Sequence, residues 1–145
     1  MLKNFNTYTI GILHTKTYRI LTSNTTDLLR KHNLVPNEWA IIGLIKDNEE
    51  IRPSKLAAIM DVKQPYITRM VDMLNKKTLI KKTVENDSRA YIVSLTAKGN
   101  RMVEEIEIEL RENMKLILNN CTREDLHGYF NVLNNIVDNS MHIRK

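Results

Sequence analysis

Between Lys63 and Lys76 the chain sets Gln64, Pro65, Tyr66, Thr68 and Arg69 at spacings that a helix brings to one side. An amide, two hydroxyls, a guanidinium and two ammonium groups are mostly hydrogen-bond donors. Their natural complement is a surface rich in acceptors and negative charge, such as the base edges and phosphates of a nucleic-acid duplex. A solvated face on an ordinary helical domain carries similar residues, so the elements around them must decide.

Ile67, Met70, Val71 and Leu74 recur with the helical period on the opposite side, which makes this stretch an amphipathic helix. The preceding run, Pro53 to Val62, predicts a shorter helix that buries Leu56, Ala57, Ile59 and Met60. Pro53 suits its first turn, where a missing N–H loses no partner. After Leu79, apolar and polar residues alternate on both sides of Asn86, Asp87 and Ser88, residues that favour tight turns. Two short helices at a steep angle followed by a hairpin make a winged helix-turn-helix. Ile51 predicts a third short strand.

At this point the chain resembles the MarR family of bacterial transcription regulators. Asp87-Ser-Arg89 followed by Leu95-Thr-Ala-Lys-Gly99 is similar to that family's Asp-x-Arg wing leading into a Leu-Thr-x-Lys-Gly helix start. Ile67-Thr-Arg-Met-Val-Asp-Met-Leu74 is similar to its recognition helix, and Ile51-x-Pro-Ser-Lys-Leu-Ala57 to the helix before it. The resemblance runs from about residue 10 to residue 138. It implies a mainly α single domain over 1–145, with a small β-hairpin wing. Residues of about 36–99 would form the winged-helix part. Those of about 5–32 and 100–142 would form dimerisation helices.

The resemblance further implies a homodimer that binds a pseudo-palindromic site on duplex DNA. Gln64, Tyr66, Thr68 and Arg69 would face the major groove, and Lys63, Pro65 and Lys76 would stand at the helix ends near phosphates. Arg89 would reach the minor groove or its phosphates, with Ser88 beside it and Asp87 orienting it. Small aromatic or phenolic anions bind many members, which makes Tyr18, Arg19 and Trp39 candidates for an effector cleft. Core packing competes for Trp39. Three positions depart from the family's pattern. Arg52 and Lys63 stand where Ser or Thr caps the two helices, and neither accepts a capping bond. Thr78 replaces the Gly that follows the recognition helix, where a left-handed backbone is usual. The exit from that helix is therefore expected to differ.

Charge supports the same division. Of the 22 Lys and Arg, eleven fall between Arg52 and Arg101 against four Asp and Glu, and the rest of the chain holds eleven against thirteen. The positive charge is thus concentrated on the proposed reading head, as phosphate binding requires. A winged helix that serves protein interaction without specific DNA binding is the competing reading.

Outside the head, a first helix is expected from about Ile10 to Lys31, after a loose arm over 1–9. A second follows from Pro36 to about Lys46, apolar on most sides and therefore central to the core. Thr96 predicts an N-cap for a long helix to about Asn119, and Thr122-Arg-Glu-Asp125 a capping box with Asp for Glu. The last helix, about Arg123 to Ser140, shows Leu126, Tyr129, Phe130, Leu133, Ile136 and Val137 on one face. Together with Ile10 and Leu13 these are the expected dimer contacts. The four histidines and the single Cys121 form no metal spacing, and no catalytic set or glycine-rich phosphate loop is present. No enzyme, metal or cofactor is expected. No run has the length of a membrane span and Met1 to Ile10 lacks an apolar core, so the expected place of work is the cytoplasm.

Overall fold

A computed structural model describes residues 6–86 and 90–143. In chain order the elements are α1 (Thr7–Lys31), α2 (Pro36–Asn48), β1 (Glu50–Ile51), α3 (Pro53–Ile59), α4 (Gln64–Lys76), β2 (Ile80–Val84), β3 (Tyr91–Leu95), α5 (Ala97–Ile117) and α6 (Arg123–Ile143). The chain divides into two compact units, one up to Arg111 and one from Glu112 onward.

The first unit is built around α2. Ile41, Ile42 and Ile45 are shut off from solvent and share one core with Leu28 and Leu29 of α1, Ile67, Val71 and Leu74 of α4, and Val103 and Ile106 of α5. Each such aliphatic side chain contributes roughly 1.5–3 kcal/mol by leaving water. The strands form an antiparallel sheet in the order β1-β3-β2. Val93 sits opposite both Ile51 and Lys82, so the short strand expected at Ile51 closes the sheet's inner edge. The alternation read after Leu79 is thus a β-hairpin.

Two expectations are corrected. α1 begins at Thr7, inside the stretch read as a loose arm. Ile59 is half exposed, whereas Leu56 and Ala57 are buried and Met60 is partly so. At about 100° per residue, Leu56, Ala57 and Met60 define the inner face, and Ile59 falls roughly 110° from its midline. The polar run Thr22 to Thr26 stays helical and partly exposed, held by the buried Leu28 and Leu29 beyond it.

The exit from α4 also departs from expectation. Thr78 itself adopts the left-handed conformation, at φ 61°. Its N–H reaches the Asn75 carbonyl at 2.9 Å, and the Leu79 N–H reaches that of Leu74 at 3.1 Å, the paired closure of a Schellman turn. Asn33 after α1 and Asp61 after α3 close their helices in the same way, at φ 56° and 51°. So a Thr here takes the path usually given to Gly, with its β-branch strained. Thr96 supplies part of the compensation. Its hydroxyl donates to the Thr78 carbonyl at 2.7 Å and accepts the Gly99 N–H at 3.0 Å, which caps α5. A Cβ on Gly99 would lie 2.1 Å from the Leu79 carbonyl oxygen, so only glycine lets α5 start this close to the turn.

In the second unit, the break before α6 occurs at Asn120, at φ 69°. The Asp125 carboxylate accepts from the Thr122 N–H at 2.8 Å, and the Thr122 hydroxyl accepts from the Asp125 N–H at 3.1 Å. That is the reciprocal capping box, with Asp in the usual place of Glu. The backbone hydrogen bond from Thr122 leads in holding the Asp125 carboxyl below its ordinary value.

Candidate nucleic-acid interface

α4 stands on the core by Ile67, Val71 and Leu74 and leaves one arc to solvent. Stepping about 100° per residue, Gln64, Pro65, Thr68, Arg69, Asp72 and Lys76 fall within roughly 140° of each other. Gln64, Pro65, Arg69 and Lys76 are exposed, and Thr68 is partly so. The Thr68 hydroxyl donates to the Gln64 carbonyl at 3.1 Å, which leaves its oxygen able to accept a further bond. Lys63 holds extended backbone (φ −72°, ψ 141°) and gives no side-chain cap. Pro65 has no N–H and the Tyr66 N–H bonds the Lys63 carbonyl at 3.0 Å, so among the described residues the Gln64 N–H is the first-turn donor left at the positive end of the helix dipole.

Tyr66 stands apart from the other recognition candidates. It lies about 60° beyond Arg69 around the helix, is partly buried against the core, and its hydroxyl takes the Asn37 amide at 2.5 Å. Asn37 lies in the first turn of α2, so Tyr66 ties the recognition helix to the domain's centre.

Sequence reasoning misses Asp72, although its spacing from Thr68 and Lys76 puts it on the same arc. An acid in the middle of a phosphate-facing surface is repelled unless balanced, and Lys82 of β2 pairs with it. The Lys82 ammonium also lies 5.0 Å from the centre of the Tyr91 ring on β3. One lysine thus joins the recognition helix to both strands of the wing. From the other side Arg52, just before α3, grips Glu85 at the end of β2 with two parallel bonds of 2.9 and 2.8 Å. Bonding to the Glu85 carboxylate holds the guanidinium above its already high ordinary value. The residue that fails as a helix cap is a clamp on the wing. Asp87, Ser88 and Arg89, the expected wing tip, lie outside the described residues.

A buried ion pair fixes the back of the head. Glu38 is fully buried, accepts the Val35 N–H at 3.0 Å, and receives the Lys77 ammonium at 2.7 and 2.8 Å. Lys77 also donates to the Asn33 carbonyl at 2.8 Å. No local motif marks this pair, since its members lie 39 residues apart.

Of the effector candidates, Arg19 lines an open hollow along α1 with Ile20, Ser23, Asn24 and Asp27. Tyr18 is largely exposed, and Trp39 is partly buried against the core. Among the expected dimer contacts, Ile10 and Leu13 are exposed on α1, as are Leu126, Tyr129, Phe130, Ile136 and Val137 on α6, with Leu133 partly covered.

Residues 34–91, which hold α2 to the start of β3, match the model of the MarR family. The chain is 28% identical over 99 residues to the HTH-type transcriptional repressor MdtR of Bacillus subtilis (strain 168), covering 68% of this chain and 64% of that protein. It is 28% identical over 100 residues to the HTH-type transcriptional regulator FarR of Neisseria gonorrhoeae, covering 68% of each. Among solved structures it resembles the transcriptional regulator BldR of Sulfolobus solfataricus, with 27% identity, a TM-score of 0.75, and coverage of 93% of this chain and 99% of that one. It also shares the fold of a mutant MarR from E. coli complexed with operator DNA, at 20% identity and a TM-score of 0.74, covering 88% and 92%. NadR in complex with 4-hydroxyphenylacetate matches at 24% identity and a TM-score of 0.73, covering 94% and 96%. With its winged head, its basic recognition helix and these relatives, the chain resembles the MarR family, whose model matches residues 34–91.

Proposed function

We propose that this chain is a sequence-specific duplex-DNA-binding transcription regulator that works as a homodimer, represses its target, and is released by a small aromatic or phenolic anion. The observation that carries the reading is the exposed arc of α4. Gln64, Thr68, Arg69 and Lys76 project from a helix whose opposite face is locked into the core. Such a helix enters the major groove with its N-terminal residues at the base edges. Arg69 reads a guanine edge, and Lys63, Lys76 and the Gln64 N–H hold phosphates. Arg89 extends the contact from the wing.

Two relatives support the wider scheme, since one solved MarR holds operator DNA and NadR holds a phenolic acid. In this chain the anion would enter a cleft near Tyr18, Arg19 and Trp39. A ligand releases the operator only by favouring the arrangement that fits DNA less well. The reaction is binding, with no catalytic step. No helix among the described residues is long and apolar enough to cross a membrane, and the regulator would act in the cytoplasm, at the nucleoid when bound.

Titration of the protein against a duplex selected by it from a random pool and a scrambled duplex, at two salt concentrations, tests the reading. Arg69→Ala should lose roughly 1–3 kcal/mol and relax preference at one position in each half-site. Arg89→Ala should weaken all duplexes alike and lower the salt slope by about one for each phosphate that the wing no longer touches. Equal affinity for selected and scrambled DNA at both salt concentrations would instead favour a protein-interaction module.

A further inference from the structure

Asn37 and Tyr66 come from two helices and meet beside the exposed arc of α4. Tyr66 lies in the first turn of α4, at the edge of that arc, about 60° beyond Arg69 around the helix. Asn37 lies in the first turn of α2 and is exposed. The Asn37 amide donates to the Tyr66 hydroxyl oxygen at 2.5 Å. Together the two side chains carry two amide hydrogens and one phenolic hydrogen. Their mutual bond uses one of these, and neither side chain makes another hydrogen bond among the described residues. The neighbouring carboxylate, Glu38, does not compete for the remaining donors, since it is buried and holds Lys77. Two uncharged donors are thus held together at the border of the recognition surface, where an acceptor would satisfy both.

We propose that Asn37 and Tyr66 form a clip for one phosphate of the duplex, a contact that rests on the DNA-binding reading above. A helix with its side chains is about 10–12 Å across, and the major groove is about 12 Å wide. Residues at the centre of the arc therefore meet bases, and residues at its edge meet the sugar-phosphate wall. The sequence places Tyr66 among the base readers, but its hydroxyl is drawn back to α2, so the wall it meets is the one on the α2 side. The bond between the two side chains holds both donors in place before DNA arrives, and little rotamer freedom is lost on contact. It also ties the contacted phosphate to α2, which fixes the register at which α4 sits in the groove. Both residues are neutral. A neutral donor adds affinity without displacing the counterion that a lysine displaces, so this contact is nearly independent of salt. Lys63 and Lys76 supply the salt-dependent part.

The test compares the full-length natural protein with Asn37→Ala, Tyr66→Phe and Asn37→Asp on the selected and scrambled duplexes. Single phosphates of the selected duplex are replaced in turn by neutral methylphosphonate. At one phosphate in each half-site the replacement should weaken the natural protein about tenfold, the size of a hydrogen bond to a charged group. Asn37→Ala and Tyr66→Phe should each weaken the unmodified duplex about tenfold, leave the salt slope unchanged, and lose most of the sensitivity at that phosphate. Tyr66→Phe keeps the ring that packs on the core, which guards against misfolding. Asn37→Asp separates contact from tether. The Tyr66 hydroxyl can donate to the new carboxylate, so the tie between α2 and α4 survives while the phosphate is repelled. Its affinity should fall below that of Asn37→Ala, with the thermal unfolding midpoint kept. Variants that bind less tightly yet keep full sensitivity at the phosphate would overturn the clip and leave the pair as a tether. Variants that bind like the natural protein would overturn it too, as would a salt slope lowered in Asn37→Ala. All three results leave the DNA-binding reading standing. A natural protein with no preference for the selected duplex would remove that reading and the clip with it.

Discussion

Glu38 and Lys77 show how one residue pair sets the position of a recognition helix. The carboxylate is fully buried at the start of α2, and the ammonium, partly solvated, comes from the residue after α4. Removing one partner strands the other. Lys77→Met should cost about 3 kcal/mol in denaturant unfolding, at the low end for buried pairs because Lys77 keeps some water. The double variant Glu38→Leu, Lys77→Met should be less destabilised than the sum of the single changes. Thr78 gives the opposite sign. A β-branched residue at φ 61° is strained, so Thr78→Gly should raise the unfolding midpoint, by roughly 0.5–1 kcal/mol net of the hydroxyl's hydrogen bonds. Gly99→Ala should destabilise by about 3 kcal/mol or more, because the Leu79 carbonyl it meets is held in a Schellman turn and cannot yield.

At the scale of elements, the wing is tied to the head at two points, to the recognition helix by Lys82 with Asp72 and to the start of α3 by Arg52 with Glu85. Glu85→Gln should leave the fold intact, since Glu85 lies at the sheet's end, and should lower operator affinity more than affinity for scrambled DNA. Equal loss on both duplexes would mean that the clamp contributes only charge. The α6 capping box carries a pH dependence. Asp125 is held below its ordinary carboxyl value in the folded chain. Its contribution is therefore complete above the unfolded value of about 4 and is lost as pH falls through the lower folded value. Thermal unfolding followed by circular dichroism should show Asp125→Asn less stable than the natural protein at neutral pH. The gap should close in strong acid.

For the whole molecule, the apolar face of α6 is the feature that a single chain leaves unexplained. Tyr129, Phe130, Ile136 and Val137 are exposed on a helix whose other sides are polar. A second copy of the chain covers such a face in the homodimer proposed above, and twofold symmetry then matches a pseudo-palindromic operator. Light scattering should give twice the chain mass. Phe130→Glu should shift the protein toward a monomer with operator affinity reduced at least tenfold. A monomeric variant that binds as tightly as the natural protein would remove the dimer from the mechanism.

By itself the sequence determined the parts whose cause is local. The apolar period of α4, the alternation of β2 and β3, Thr96 as the cap of α5 and the Thr122–Asp125 box depend on neighbours a few residues away. They were legible because helix and strand periods are short. The exposed arc of α4 followed from the same period, apart from Asp72, which lies on it, and Tyr66, which packs against the core. Tertiary structure alone decided what pairs across distance: Tyr66 with Asn37, Glu38 with Lys77, Arg52 with Glu85. The left-handed turn at Thr78 belongs with them. Local preference opposes it, yet the buried Leu74 and Leu79 on either side and the Thr96 hydroxyl beneath it over-determine that conformation. Each of these contacts is set by the packing of separate elements, a term that no short window of sequence contains.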